Sequence, residues 1–178
     1  MKSKLFLAFL LLTPLLVLFA STLFFQSGFS PKNTKNNGTF FYDYFDVTSI
    51  GLSIENESLK FQDGKWLFAT YASKDSDIEQ ALYLMRQLNV ALNRDINKLK
   101  RVVFTYSQNN ISDQLKDYPR TYVIFDTEDQ LYEKLIIEDP KYFEQQKIFI
   151  IDPYGRAVMY FPVSMDPKLI LKDLKVLI

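Results

Sequence analysis

The first pattern in the sequence is a long apolar run close to the N-terminus. No charged residue lies between Lys4 and Lys32, and the run LFLAFLLLTPLLVLFASTLFF fills residues 5–25. About 20 consecutive apolar residues suffice to cross a hydrocarbon core of roughly 30 Å as a helix. The pattern therefore predicts a transmembrane anchor over residues 1–25, with membrane lipid as its partner.

A cleaved signal peptide is the alternative interpretation of this run. Signal peptides have apolar cores of roughly 7–15 residues followed by a small-residue cleavage site. Here the run is longer, and Leu18 fits poorly at the third position before a cut at Ser21, so we favour the anchor. Because Lys2 and Lys4 precede the run, the N-terminus is expected in the cytoplasm. The expected location is the inner (cell) membrane, with a periplasmic or otherwise extracytoplasmic C-terminal domain.

The pattern changes after the apolar run. Residues 26–38, QSGFSPKNTKNNG, are polar and rich in Asn, Gly and Pro, which is typical of a linker. Residues 39–178 then form one candidate domain of about 140 residues, long enough for a substantial core. The aromatic segment TFFYDYF at its start is equally compatible with a strand over the core and with an aromatic belt at the membrane interface.

Within this domain, short apolar runs alternate with segments of helical periodicity. The expected strands are 65–72, 101–107, 121–126, 147–152 and 156–162; the expected helices are 75–94, 128–137 and 166–178, with a helical turn near 111–117. Ser76 and Glu79 have the spacing of a capping box. Alternation of this kind predicts an α/β fold with a mainly parallel sheet, to which the last two strands add an antiparallel hairpin at the edge.

Composition excludes several classes of function. Hydrophobic residues make up 48% of the chain, which excludes disorder, and the formal net charge is zero, which argues against a nucleic-acid partner. The chain has no Cys and no His. Thiol chemistry, histidine acid–base catalysis and thiolate or imidazole metal sites are therefore excluded. We expect no enzymatic activity and no cofactor.

Few residue groups remain as candidate sites. Lys74 to Asp77 precede a predicted helix, so they could bind an anion, although ordinary capping accounts for them better. Carboxylate pairs at Asp75 with Asp77 and at Glu138 with Asp139 could bind Ca²⁺ or Mg²⁺. No Gly-turned ligand loop accompanies them, and solvated charge is the preferred interpretation.

Two stretches resemble a known family. GKWLFATYASKDSDIEQALYLMRQLNVALNRDINKLKRVVF and IIDPYGRAVMYFPVSMDPKLILKDLKVL, within residues 64–178, are similar to membrane-anchored thioredoxin-like proteins related to the Sco/SenC cytochrome oxidase assembly factors. LYLMRQ and the closing DPKLILKDLK are the most specific parts. The resemblance implies a thioredoxin-like three-layer α/β/α sandwich behind an N-terminal transmembrane helix.

The resemblance also implies where the family's functional residues would lie. The two cysteines would fall at Lys74 and Ile78, and the histidine near Glu144, so copper binding and thiol exchange do not carry over to this chain. The expected function is a membrane-tethered, non-enzymatic protein that assists or scaffolds assembly of a respiratory (cytochrome oxidase) complex, with a membrane protein of that complex as partner. The alternatives are a degenerate copper chaperone or thiol oxidoreductase homologue, and an envelope binding module unrelated to respiration.

Overall fold

The computed structural model describes residues 2–26, 36–54, 61, 63–73, 76–106 and 111–178. The chain separates into two compact units, residues 1–35 and residues 36–178.

The described part of the first unit is one helix, α1, from Lys2 to Gln26. Its large apolar side chains are exposed on all sides, with exposed fractions between 50% and 71%. The hydroxyls of Thr13 and Thr22 donate to the carbonyls four residues earlier, at 2.7 and 2.8 Å. These bonds satisfy the two hydroxyls within the helix itself.

The side chains of Leu5, Leu7, Ala8 and Phe25 lie outside the description of α1. Among the described residues, no helix combines the length and the apolar character needed to cross a membrane. The transmembrane span expected over residues 1–25 thus finds no support in the structure and stays a prediction.

The second unit is built on one seven-stranded sheet in the order β1-β7-β6-β3-β4-β5-β2. The strands are β1 (Thr39–Phe40), β2 (Ser53–Ile54), β3 (Trp66–Ala72), β4 (Leu99–Thr105), β5 (Thr121–Phe125), β6 (Lys147–Ile151) and β7 (Ala157–Pro162). Strands β3, β4 and β5 are parallel, and every other pairing is antiparallel. The predicted hairpin forms, with Gly155 at φ +92° in its turn. It does not end the sheet, because β1 pairs with β7 and forms the edge.

Helices cover both faces of the sheet. They are α2 (Glu79–Ala91), α3 (Ser112–Leu115), α4 (Gln130–Glu138) and α5 (Pro167–Leu177). Within the described residues, short 3-10 helices also cover Val47–Ser49, Asn93–Lys98 and Tyr142–Glu144. On one face Leu131 and Leu135 of α4 are buried, whereas α2 and α5 pack on the opposite face. Because both faces are covered, the central strands are mainly apolar on both sides. The predicted three-layer α/β arrangement is confirmed.

Helix α2 begins later than the sequence pattern indicated. It starts at Glu79 rather than near residue 75, and the predicted capping box is wrong. The Ser76 hydroxyl donates to the Ser73 carbonyl at 3.1 Å, while the Asp77 carboxylate accepts from the Glu79 amide at 2.9 Å. Asp77 therefore accepts from the first amide of α2, whereas the N-cap residue, Ile78, has no side-chain capping hydrogen bond.

The folded unit includes Asn37 and Gly38, which the sequence pattern had placed at the end of the linker. The carboxylate of Asp173 in α5 accepts from the Asn37 amide at 2.6 Å, the Asn37 side chain at 2.8 Å and the Gly38 amide at 2.9 Å. Asp173 is only 3% exposed. This buried carboxylate fixes the point at which the chain enters the domain.

Candidate functional site

The junction between β3 and α2 is where the resemblance places the family's cysteines. Lys74 and Asp75 lie outside the described residues. Ile78 is described and is fully buried. It belongs to a small apolar cluster with Ala72, Leu82, Val103, Ile111 and Tyr118. An aliphatic side chain sealed in this way offers neither a nucleophile nor a metal ligand.

Backbone hydrogen bonds fix Ile78 in this buried position. Its amide donates to Oε1 of Gln114 in α3 at 3.2 Å, and its carbonyl accepts from the Leu82 amide at 2.9 Å. Ile78 is thus attached to α3 on one side and to the first turn of α2 on the other. Helix α2 begins one residue after Ile78.

Glu144 ends the 3-10 helix before β6 and is exposed. Its carboxylate forms no hydrogen bond or ion pair with any residue that the structure describes. Two residues later, the Gln146 side chain donates to the Thr70 hydroxyl at 2.6 Å and to the Tyr71 carbonyl at 3.1 Å. This loop is therefore attached to β3 through Gln146, and Glu144 and Ile78 do not form one polar site.

A buried carboxylate that sequence reasoning missed lies at the carboxyl end of β5. Asp126 is fully buried, and its Oδ2 accepts from the Tyr71 hydroxyl and the Tyr132 amide, both at 3.0 Å. Burial, followed by the charge of Asp126, raises the pKa of Tyr71 far above its usual value. The Tyr71 phenol therefore remains protonated and acts as a hydrogen-bond donor. The sequence does show an aspartate directly after the strand TYVIF. Its burial could not be predicted, because its hydrogen-bond partner Tyr71 is distant in sequence.

Of the carboxylates considered for Ca²⁺ or Mg²⁺, Asp75 lies outside the described residues, and Glu138 and Asp139 are engaged elsewhere. Glu138 accepts from the amides of Tyr42 and Asp43 at 2.8 and 3.3 Å, and Asp139 pairs with Lys147 at 3.0 Å. Within the described ranges no group of three or more acidic residues is arranged to bind a metal ion. The expectation of no cofactor stays a prediction.

A comparison with protein families supports the observed fold. A model of the family described as "Transmembrane-like, thioredoxin-like, C-terminal domain" matches residues 66–178, which is more than half of the chain. The chain belongs to this family. No curated protein matches it. The matched residues start at β3 and extend through α5, so the thioredoxin-like fold expected from the sequence is confirmed for this part of the domain.

Solved structures support the same thioredoxin-like fold at low sequence identity. The bacterioferritin comigratory protein of Xanthomonas campestris is 16% identical with a TM-score of 0.50, covering 75% of this chain and 96% of its own. BsSco, a member of the Sco family of cytochrome c oxidase assembly proteins, is 13% identical with a TM-score of 0.50, covering 82% and 97%. A mutant of Xylella fastidiosa PrxQ is 13% identical with a TM-score of 0.50, covering 81% and 98%. These similarities concern the fold alone.

Beside Ile78, this thioredoxin-like domain has a surface cavity of about 300 Å³. It is lined by Asp77, Glu79, Gln80, Tyr83 and Tyr118. The Tyr83 side chain is 57% exposed. Burial, followed by the charge of Glu79, raises the pKa of Tyr118. An exposed aromatic ring beside two carboxylates is suited to contact a protein side chain that carries a positive charge or a hydrogen-bond donor.

Proposed function

We propose that this chain is a non-enzymatic thioredoxin-like protein that assists or scaffolds assembly of a respiratory (cytochrome oxidase) complex through protein contacts. The observation that carries the proposal is Ile78, a fully buried aliphatic residue at the β3–α2 junction. Since the chain also lacks Cys and His, this corner of the fold has no group for thiol exchange or tight copper binding. We therefore assign the region around the β3–α2 junction a role in binding.

The proposed contact surface is the cavity beside Ile78, which the exposed side chain of Tyr83 lines. Tyrosine is favoured in protein interfaces because it combines a large apolar ring with a polar group. Asp77 and Glu79 give this surface a negative charge. The expected partner is a membrane protein of the respiratory complex that presents a basic segment.

The link to respiration rests on the resemblance of LYLMRQ and DPKLILKDLK to Sco-related proteins. BsSco, which has a similar fold, is described as a member of a family of cytochrome c oxidase assembly proteins. We extend that cellular role to this chain without its copper chemistry.

We further propose that α1 anchors the domain in the cell membrane, with the N-terminus in the cytoplasm and the domain outside. The support is the uncharged sequence between Lys4 and Lys32, together with the apolar side chains that α1 leaves exposed. Large apolar surfaces of this kind are normally covered by lipid or protein. After an alkaline carbonate wash, the full chain is expected in the membrane fraction with its N-terminus intact. A mature chain that starts near Ser21 would contradict the anchor.

The proposed function is tested by deleting the gene and measuring assembled cytochrome oxidase by its haem absorbance in membranes. The wild-type chain should restore the oxidase level, whereas Tyr83→Ala should restore it only in part. Tyr154→Ala is the matched control, because Tyr154 is 70% exposed in the β6–β7 turn and does not line the cavity. An unchanged oxidase level in the deletion strain would contradict a role in respiratory assembly.

A further inference from the structure

A buried arginine without an acidic partner lies at the amino end of β4. Arg101 is only 8% exposed. Its Nη2 donates to the Pro119 carbonyl at 2.6 Å, but its Nη1, which is also buried, has no hydrogen-bond partner. Arginine keeps its charge at all physiological pH values, and a buried charge is normally compensated by an opposite charge. Arg101 has no such compensation among the residues that the structure describes.

A second unpartnered atom lies beside it. Thr121 in β5 is the register partner of Arg101 in the parallel β4–β5 pair, so both side chains are on the same face of the sheet. The Thr121 hydroxyl is buried and has no hydrogen-bond partner. A guanidinium nitrogen and a hydroxyl, each free to bond an oxygen, are thus neighbours on two strands.

Two further arginines add positive charge at this place. Burial lowers the pKa of Arg101 most, and the charges of Arg86 and Arg120 lower it further. Arg86 lies on α2, and Arg120 directly follows Pro119. Both are exposed, and neither forms an ion pair with a described residue. The positive charges of Arg86 and Arg120 therefore act on the buried guanidinium of Arg101.

We propose that Arg86, Arg101, Arg120 and Thr121 form a binding site for a phosphate group. A phosphate group offers several acceptor oxygens and up to two negative charges, and arginine matches its geometry well. A water molecule would fill the hydrogen bonds of Arg101 and Thr121 but would leave the three positive charges uncompensated. Both unpartnered atoms are closed off from solvent, so binding at this site requires a neighbouring side chain to move.

This site is separate from the corner occupied by Ile78. Arg101 and Thr121 are near the amino ends of the parallel strands, whereas Ile78 follows the carboxyl end of β3. The inference does not depend on a role in respiratory assembly. The phosphate group could belong to free phosphate or to a phospholipid headgroup, which share the same recognition chemistry.

The test is isothermal titration of the full chain in a neutral detergent with inorganic phosphate at constant ionic strength, using chloride as the reference anion. A parallel titration with phosphatidic acid, compared with phosphatidylcholine in the same micelles, distinguishes a lipid source from free phosphate. The variants are Arg101→Met, Thr121→Val, Arg86→Gln and Arg120→Gln. Arg94→Gln is the matched control, since Arg94 is exposed on the 3-10 helix after α2.

Saturable one-to-one binding is expected, and loss of one charged hydrogen bond at Arg86 or Arg120 should raise Kd about tenfold. Arg101→Met should abolish binding, and Arg94→Gln should leave Kd unchanged. Binding of phosphatidic acid alone would assign the site to a lipid headgroup. The proposal is overturned if neither phosphate nor phosphatidic acid binds, or if Thr121→Val and the three arginine variants all bind as the wild type does. Thr121→Val and the exposed-arginine variants keep the test valid if Arg101→Met fails to fold.

Discussion

Replacing Ile78 by alanine tests whether this residue is tightly packed at the β3–α2 junction and stabilises the domain. Ile78 is fully buried in the cluster that includes Leu82 and Val103. The substitution removes three carbon groups, and at about 0.8 kcal/mol per buried group the transfer free energy lost is roughly 2.4 kcal/mol. The cavity left behind adds to this loss, so the free energy of unfolding should fall by about 3–4 kcal/mol.

The assay is urea unfolding of the full chain in a neutral detergent, followed by tryptophan fluorescence. Trp66 is the only tryptophan in the chain and begins β3, so the signal reports the domain. Ile137→Ala is the matched control, because the same side chain is 70% exposed on α4. It should change the free energy of unfolding by less than about 0.5 kcal/mol.

The reasoning is refuted if Ile78→Ala costs no more than Ile137→Ala. That result would mean that the β3–α2 junction is open or mobile in solution and that Ile78 does not close it. A milder variant, Ile78→Val, should lower the free energy of unfolding by about 1 kcal/mol. It provides an intermediate point between the wild type and the alanine variant.

Three further predictions concern other parts of the chain. Asp173→Ala removes the acceptor of three hydrogen bonds and should lower the free energy of unfolding by about 2–4 kcal/mol. Lys172→Ala, at the exposed neighbouring residue, should change it negligibly. Equal effects of the two variants in urea unfolding would contradict a stabilising role for the Asp173 hydrogen bonds. Burial is the largest single effect and would raise the pKa of Asp139, but the hydrogen bonds from Lys147, the Lys141 amide and Tyr160, together with the charge of Lys147, lower the net pKa. This ion pair therefore stabilises the fold above the unfolded pKa of about 3.9 and loses its effect as the pH falls below that value. Asp139→Asn should flatten the loss of stability below about pH 4 in thermal melts, and an unchanged slope would refute this cause. Finally, the full chain should neither reduce insulin disulfides nor retain Cu(I) against a competing chelator, and stoichiometric Cu(I) retention would contradict the non-enzymatic account.

The central sheet could be predicted from sequence because its strands are buried on both faces. WLFATYA is apolar or aromatic except at Thr70, KIFII is apolar after Lys147, and Gly155 marks the hairpin turn. Strands β1 and β2 contain two residues each, which is too short to produce a periodic pattern. Their pairing depends on the sheet edges that are already present.

The start of α2 was misplaced because several residues before it are competent caps. Asp75, Ser76 and Asp77 all precede the apolar periodicity, and sequence spacing favoured Ser76 with Glu79. In the structure Asp77 accepts from the Glu79 amide, and the Ser76 hydroxyl bonds backward to Ser73. The choice among neighbouring caps depends on the local backbone path, which the pattern does not contain.

The buried polar residues could not be located from sequence. Asp126 and Arg101 carry types of side chain that are normally exposed, and their burial depends on partners far along the chain, such as Tyr71 and Pro119. By contrast, the sequence shows directly that an aliphatic residue, Ile78, stands where the resemblance places a cysteine.

The most direct test of the central claim is site-specific photo-crosslinking from position 83 in native membranes. A photoreactive residue replaces Tyr83, and crosslinked proteins are identified by mass spectrometry, with the same residue at Tyr154 as the control. If the domain acts through contacts at the cavity beside Ile78, position 83 should crosslink to a subunit of a cytochrome oxidase complex, and position 154 should not. Equal crosslinking from both positions, or adducts that contain no respiratory subunit, would contradict the account.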